Sequence, residues 1–179
     1  MKLVRFEAGS GPRCGVLEAD GVRPVSDPAL PAGDMAALLA HGAQGLALSD
    51  QLLPLGHLRL LAPIANPPKI LCAWVNYPNP TMASMPEVPI FFAKYASAIV
   101  GPEEAIQLPR IGDDIVVEPE LAAVIGKPGK HIAEGEAVDH VAGYTIVNDV
   151  TAFSHRLQVL LGSQGPYMMA KSFDTFAPM

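Results

Sequence analysis

The sequence predicts an α+β chain dominated by β-strands, in which a small amino-terminal β-rich part precedes a larger part that carries the chemistry. Three observations lead there. Short apolar stretches that alternate, or run for about four to eight residues between turn signals, have the pattern of strands. The 18 prolines and 16 glycines are scattered through the connections, which suits many turns and few long helices. Third, Ala62-Pro63-Ile64-Ala65-Asn66-Pro67-Pro68 holds three prolines, whose missing N–H groups and fixed φ exclude a helix or a central strand. The boundary is placed there, with residues 1–62 as a small amino-terminal domain and 69–179 as the larger one.

In the first part Leu3 and Arg5 alternate with Val4 and Phe6 as a strand requires, and Cys14 to Glu18 forms a second strand. Asp20-Gly21 is a tight-turn signal ahead of a third, Val22 to Val25. Asp34 is placed to cap a short helix from Met35 to His41 that Gly42 ends, and a leucine-rich stretch follows from Leu52 to Leu61. Beyond the boundary, strands are expected at Ile70–Val75, Pro89–Phe92, Ile115–Ile125 as one long element, and Tyr144–Val147. Helices are expected at Ala133–His140 and at Val150–Leu161, where Phe153, Leu157, Leu160 and Leu161 recur at helical spacing.

Half of the 179 residues are hydrophobic, enough for a real core. A net charge of −6, a pI near 5.2 and the lack of a Lys/Arg cluster argue against nucleic acid, since nothing replaces its counterions. The start, Met1-Lys2-Leu3-Val4-Arg5-Phe6-Glu7, is too charged for a signal peptide's apolar centre. No apolar run approaches the roughly 20 residues that span a bilayer, so a cytoplasmic protein without a membrane partner is expected. Cys14 and Cys72 lie far apart in apolar surroundings and are read as buried thiols, not as a disulfide or a zinc site.

The chemistry centres on acidic residues. Residues two apart on a strand point the same way, so Glu118 and Glu120 aim both carboxylates to one side, roughly 6–7 Å apart at Cβ. That side also holds Val116, Ala122 and Val124, and the other holds Ile115, Val117, Leu121, Ala123 and Ile125, so neither face reads as the wet one. Two carboxylates on a largely buried strand repel each other and lose hydration unless a positive charge lies between them, which a metal ion would supply. Asp149 ends the next apolar strand, where it is read either as a cap for the following helix or as a third ligand. Three oxygen ligands without a paired Cys or His select a hard cation, Mg²⁺, Mn²⁺ or Ca²⁺, and leave positions for water and substrate.

Five segments resemble the fumarylacetoacetate hydrolase family and occur in its order. They are Ile70-Leu71-Cys72-Ala73-Trp74-Val75-Asn76-Tyr77; Phe91-Phe92-Ala93-Lys94 with Ser97 to Pro102; Glu118-Pro119-Glu120-Leu121 to Gly126; Val141-Ala142-Gly143-Tyr144 to Asp149; and Lys171-Ser172-Phe173-Asp174-Thr175. The resemblance covers residues 69–179, and the amino-terminal part looks like the accessory domain of some bacterial members. It implies a barrel-like β-rich core, a homodimer, and metal-dependent cleavage, tautomerisation or decarboxylation of small keto or diketo acids. It also implies that Glu118, Glu120 and Asp149 bind the metal, Mg²⁺ or Mn²⁺, and that Lys171 is the active-site lysine.

Lys171 lies among apolar neighbours, either seeking a substrate carboxylate or developing enolate, or snorkelling at the surface. Tyr77 is read as a pocket residue or a core tyrosine. The chain departs from the family pattern at Pro80, where a lid histidine is common, and at Phe153 and Arg156, where many members have arginine and glutamine. Arg156 is read as a substrate contact or a surface arginine, and His155 as a replacement base or a helix-surface histidine. The chain ends at Phe176-Ala177-Pro178-Met179 where the family continues, so an incomplete core is expected. Three functions stay open on this reading: a keto-acid enzyme, a non-catalytic relative, and a binding module for acidic metabolites.

Overall fold

The structure, a computed structural model, describes residues 1–78, 84–111, 114–153 and 167–179. Three successive strands, β1 (Leu3–Ala8), β2 (Gly11–Leu17) and β3 (Val22–Pro24), pair antiparallel, and β4 (Leu60–Leu61) adds to the free edge of β1, giving the order β3-β2-β1-β4. Alternation turns Phe6 inward, where it is fully buried. Helix α1 (Met35–His41) lays Met35 and Leu38 against Cys14 of β2, the centre of a small core. The ends of α1 are those expected. Asp34 Oδ1 accepts from Ala37 N at 3.0 Å, and Gly42, at φ +95°, donates its N–H to Leu38 O.

The larger part contains β5 (Ile70–Ala73), β6 (Phe91–Lys94), β7 (Ile99–Val100), β8 (Asp114–Val116), β9 (Pro119–Ile125), β10 (Val141–Asn148), β11 (Thr151–Phe153), α2 (Tyr167–Lys171) and β12 (Ala177–Pro178). β5 pairs with β6, β8 with β11 and β9 with β10, all antiparallel, and β12 pairs parallel with β7. A second core gathers Ala98, Val147, Val150, Ala152, Phe176 and Ala177, with Phe173 edge-on to Phe176 at 5.3 Å between ring centroids. The fold is β-rich with few helices. Among the described residues the strands form one four-stranded and four two-stranded sheets, with no closed barrel. No described helix is long and apolar enough to cross a membrane.

Several expectations are corrected. The long strand predicted over Ile115–Ile125 is two strands, β8 and β9, with different partners. Pro119 has no N–H for the ladder, and Glu118 instead donates its N–H to the Asn148 side chain, so the pairing changes at that point. The helix predicted over Ala133–His140 is a 3-10 segment, Glu134–His140. The helix predicted over Val150–Leu161 opens as β11, because Thr151, Ala152 and Phe153 pair with Val116, Ile115 and Asp114, while its later residues lie outside the described ones. Strand β9 is also not largely buried. Leu121 is 75% exposed and its register partner Ile146 is 69% exposed, so the face opposite the glutamates is bare and apolar. Alternation identifies two faces, but it cannot tell a covered apolar face from an uncovered one.

Candidate metal centre

The strand change at Pro119 builds the site. Register pairs Glu120 with Val147 and Pro119 with Asn148, so the next residue along β10, Asp149, falls beside Glu118. The backbone stitches them together, with Glu118 N donating to Asn148 Oδ1 at 3.0 Å and Asp149 N donating to Glu118 O at 2.8 Å. One carboxylate oxygen from each of Glu118, Glu120 and Asp149 then lies within 4.8 Å of the others. Asp149 does not cap a helix here, since a strand follows it.

Two lysines enter from other elements. Lys94, at the end of β6, donates to Asp149 Oδ1 at 2.6 Å and to Val150 O at 3.1 Å. Lys171, at the end of α2, donates to Asp149 Oδ2 at 2.6 Å and to Glu118 Oε2 at 2.5 Å, with its ammonium 4.9 Å from the Phe92 ring centroid. Thr151 Oγ1 also donates to Glu118 Oε2, at 3.0 Å. Asp149 is 1% exposed and Lys94 and Lys171 are both buried, so the two ion pairs of Asp149 are shielded from water.

Two ammonium groups therefore oppose the three carboxylates, on Asp149 and Glu118 but not on Glu120. A formal charge of −1 remains. It resides on Glu120, which has no hydrogen-bond or ion-pair partner among the described residues. Glu118 Oε1 likewise receives no donor there. Desolvation, then the Asp149 charge, raises the Glu120 carboxyl above its ordinary pKa, although the residue as a whole is exposed and solvent screens part of this.

The lysines differ. Burial is the dominant influence on both and acts downward; it leaves Lys94 below the ordinary lysine value, whereas the hydrogen bonds Lys171 donates to Asp149 and Glu118 hold it above that value. Burial, reinforced by Asp149, pushes the nearby Cys72 thiol up to about 12, so it stays neutral, and both cysteines are free. An oxygen-only donor set with net negative charge and a carboxylate that has no partner among the described residues fits a hard divalent cation.

Of the other residues singled out in the sequence, Tyr77 is 72% exposed. His155, Arg156 and Pro80 lie outside the described residues. Sequence reasoning misses Lys94, Thr151 and Asn148. A signal for Lys94 does exist: a lone cation closing the short apolar stretch Phe91-Phe92-Ala93 is a charge that burial obliges to find a partner. The side chains of Thr151 and Asn148 give no comparable signal.

A β-rich chain with an acidic, lysine-braced centre defines the class, and comparison with known proteins agrees. Residues 69–179 match the fumarylacetoacetate (FAA) hydrolase C-terminal family, and residues 1–63 match the Rv2993c-like N-terminal family. The chain belongs to the fumarylacetoacetate hydrolase family. It is 38% identical over 196 residues to the mitochondrial oxaloacetate tautomerase fahd2 of Xenopus laevis, covering 100% of this chain and 60% of that protein. Among solved structures, the 5-carboxymethyl-2-hydroxymuconate delta-isomerase of Mycobacterium smegmatis superposes with a TM-score of 0.76 at 32% identity, over 99% of this chain and 64% of that one. A fumarylacetoacetate hydrolase from Exiguobacterium antarcticum superposes with a TM-score of 0.77 at 30% identity, over 100% of this chain and 64% of that one. The chain thus spans about three-fifths of the length of the relatives it matches.

Proposed function

We propose that this protein holds one divalent cation, Mg²⁺ or Mn²⁺, between Glu118, Glu120 and Asp149 and interconverts the keto and enol forms of a small keto acid. The observation that carries this reading is the convergence of the three carboxylates within 4.8 Å, with Glu120 lacking a partner among the described residues. The names of two relatives, a tautomerase and an isomerase, support the reaction class. When bound, the cation supplies Lewis-acid polarisation of a keto acid's carbonyl.

The chain's own residues set the rest. Lys171 has three N–H donors and spends two on Glu118 and Asp149, which leaves one for a substrate oxygen that gains negative charge as the α-proton leaves. The buried network around Asp149 keeps that ammonium in place without reorganisation. Tautomerisation moves a proton from carbon to oxygen: solvent accepts the α-proton and returns one to the enolate oxygen, so no water has to be activated as a nucleophile. Hydrolysis of a carbon–carbon bond needs a base as well, worth typically about 10² to 10⁴ in rate, and Pro80 stands where the family commonly has its lid histidine.

The test uses purified protein with Mg²⁺ or Mn²⁺, following enol absorbance of oxaloacetate, its decarboxylation, and cleavage of acylpyruvates. Tautomerisation that exceeds acylpyruvate cleavage and is lost with a chelator is the expected result. Acylpyruvate cleavage without tautomerisation would make the protein a hydrolase and direct attention to His155 as base. Tight metal binding without turnover of any substrate would make it a non-catalytic binder of metal and acidic metabolites.

A further inference from the structure

We propose that Lys94 is a positioning residue of the cation centre, holding the Asp149 carboxylate in the rotation that keeps Oδ2 toward Lys171 and Glu118. The proposal rests on the function given above. A carboxylate's terminal torsion is broad and roughly two-fold, so one contact does not fix it. Asp149 has an ammonium on each oxygen, Lys94 on Oδ1 and Lys171 on Oδ2, both at 2.6 Å. Lys94 also donates to Val150 O at 3.1 Å, and so grips the side chain of residue 149 and the backbone of residue 150 together. Its own side chain is 0% exposed, which closes any route from it to a substrate. Lys94 closes β6 while Asp149 follows β10, so the contact also ties together two separate two-stranded sheets.

Simple electrostatics points the other way. A cation beside a cation site repels the incoming ion, so if Lys94 acted only through its charge, removing it would tighten metal binding. Positioning gives the opposite sign, since residues that orient metal ligands typically change affinity by about 10- to 100-fold when replaced.

Mn²⁺ binding, read as free Mn²⁺ by electron paramagnetic resonance, is compared in wild type, Lys94→Met and Lys94→Gln, with thermal melts of the metal-free proteins as a check of folding. The expected result is at least about 10-fold weaker binding in Lys94→Met and an intermediate loss in Lys94→Gln, which retains a donor on a side chain one bond shorter. Unchanged or tighter binding in either folded variant overturns the proposal. If Lys94→Met does not fold, Lys94→Gln supplies the same test of sign. Absence of Mn²⁺ binding by the wild type would instead refute the proposed function, and this inference with it.

Discussion

Lys171 donates to Asp149 across 2.6 Å from the end of a helix 22 residues further along the chain, in a place that water barely reaches. On the other oxygen of Asp149, Lys94 does the same. One carboxylate therefore neutralises parts of two buried ammonium groups, and its loss leaves, among the described residues, Lys94 without a carboxylate and Lys171 with Glu118 alone.

Asp149→Ala is accordingly expected to destabilise the protein by about 3–5 kcal/mol, the range typical for breaking a buried ion pair from one side. Asp149→Asn keeps an acceptor and should cost less. Urea denaturation of the metal-free proteins checks both, and a cost below about 1 kcal/mol for the alanine variant would show that the lysines relax into water.

Glu120 contrasts with Asp149, for it is exposed and has no partner among the described residues. Glu120→Ala should leave metal-free stability within about 0.5 kcal/mol of wild type. In wild type, metal at 100 times its Kd should add about 2.7 kcal/mol, a rise of about 5–10 °C in Tm, and Glu120→Ala should abolish that rise. Differential scanning calorimetry with and without Mn²⁺ checks this. A full shift in the variant would remove Glu120 from the ligand set.

A pH effect is expected in the amino-terminal part. Burial, opposed by Arg5 and aided by Asp34, pushes the Cys14 thiol from 9.0 up to about 11. Between those values the unfolded chain releases this proton while the folded one keeps it. Stability contributed by the neutral thiol is thus complete below pH 9 and falls as pH rises toward 11, by about 2–3 kcal/mol in all. Denaturation of wild type and Cys14→Ala at pH 8 and pH 11 isolates the effect, since the variant should lack this part of the slope. Equal slopes would count against it.

The bare face of the β9–β10 pair carries Leu121, Ile125, Tyr144 and Ile146, all exposed apolar side chains. Such a patch drives association. The protein is expected to self-associate in solution, and Leu121→Glu combined with Ile146→Lys should lower its mass by light scattering without lowering Tm. A monomeric wild type at high concentration would rule this out.

Local patterns sufficed for much of the molecule. Helix α1 with Asp34 and Gly42 at its ends, the first three strands, and the candidate ligands Glu118, Glu120 and Asp149 were all legible, because caps, alternation and acidic residues at strand ends are encoded within a few neighbours. Helical spacing misled at Val150–Leu161, where pairing with β8 draws Thr151–Phe153 into a strand.

By itself, then, the sequence determined the β-rich class, the family likeness and the acidic residues available to a cation. Only the tertiary structure decided the electrostatics among them. Lys94 and Lys171 lie 55 and 22 residues from Asp149, and no local pattern records that both ammonium groups meet its two oxygens. The same holds for the break at Pro119 and the uncovered face of Leu121 and Ile146. Burial and charge pairing depend on which strands become neighbours, and that depends on long-range packing of the whole chain rather than on periodicity.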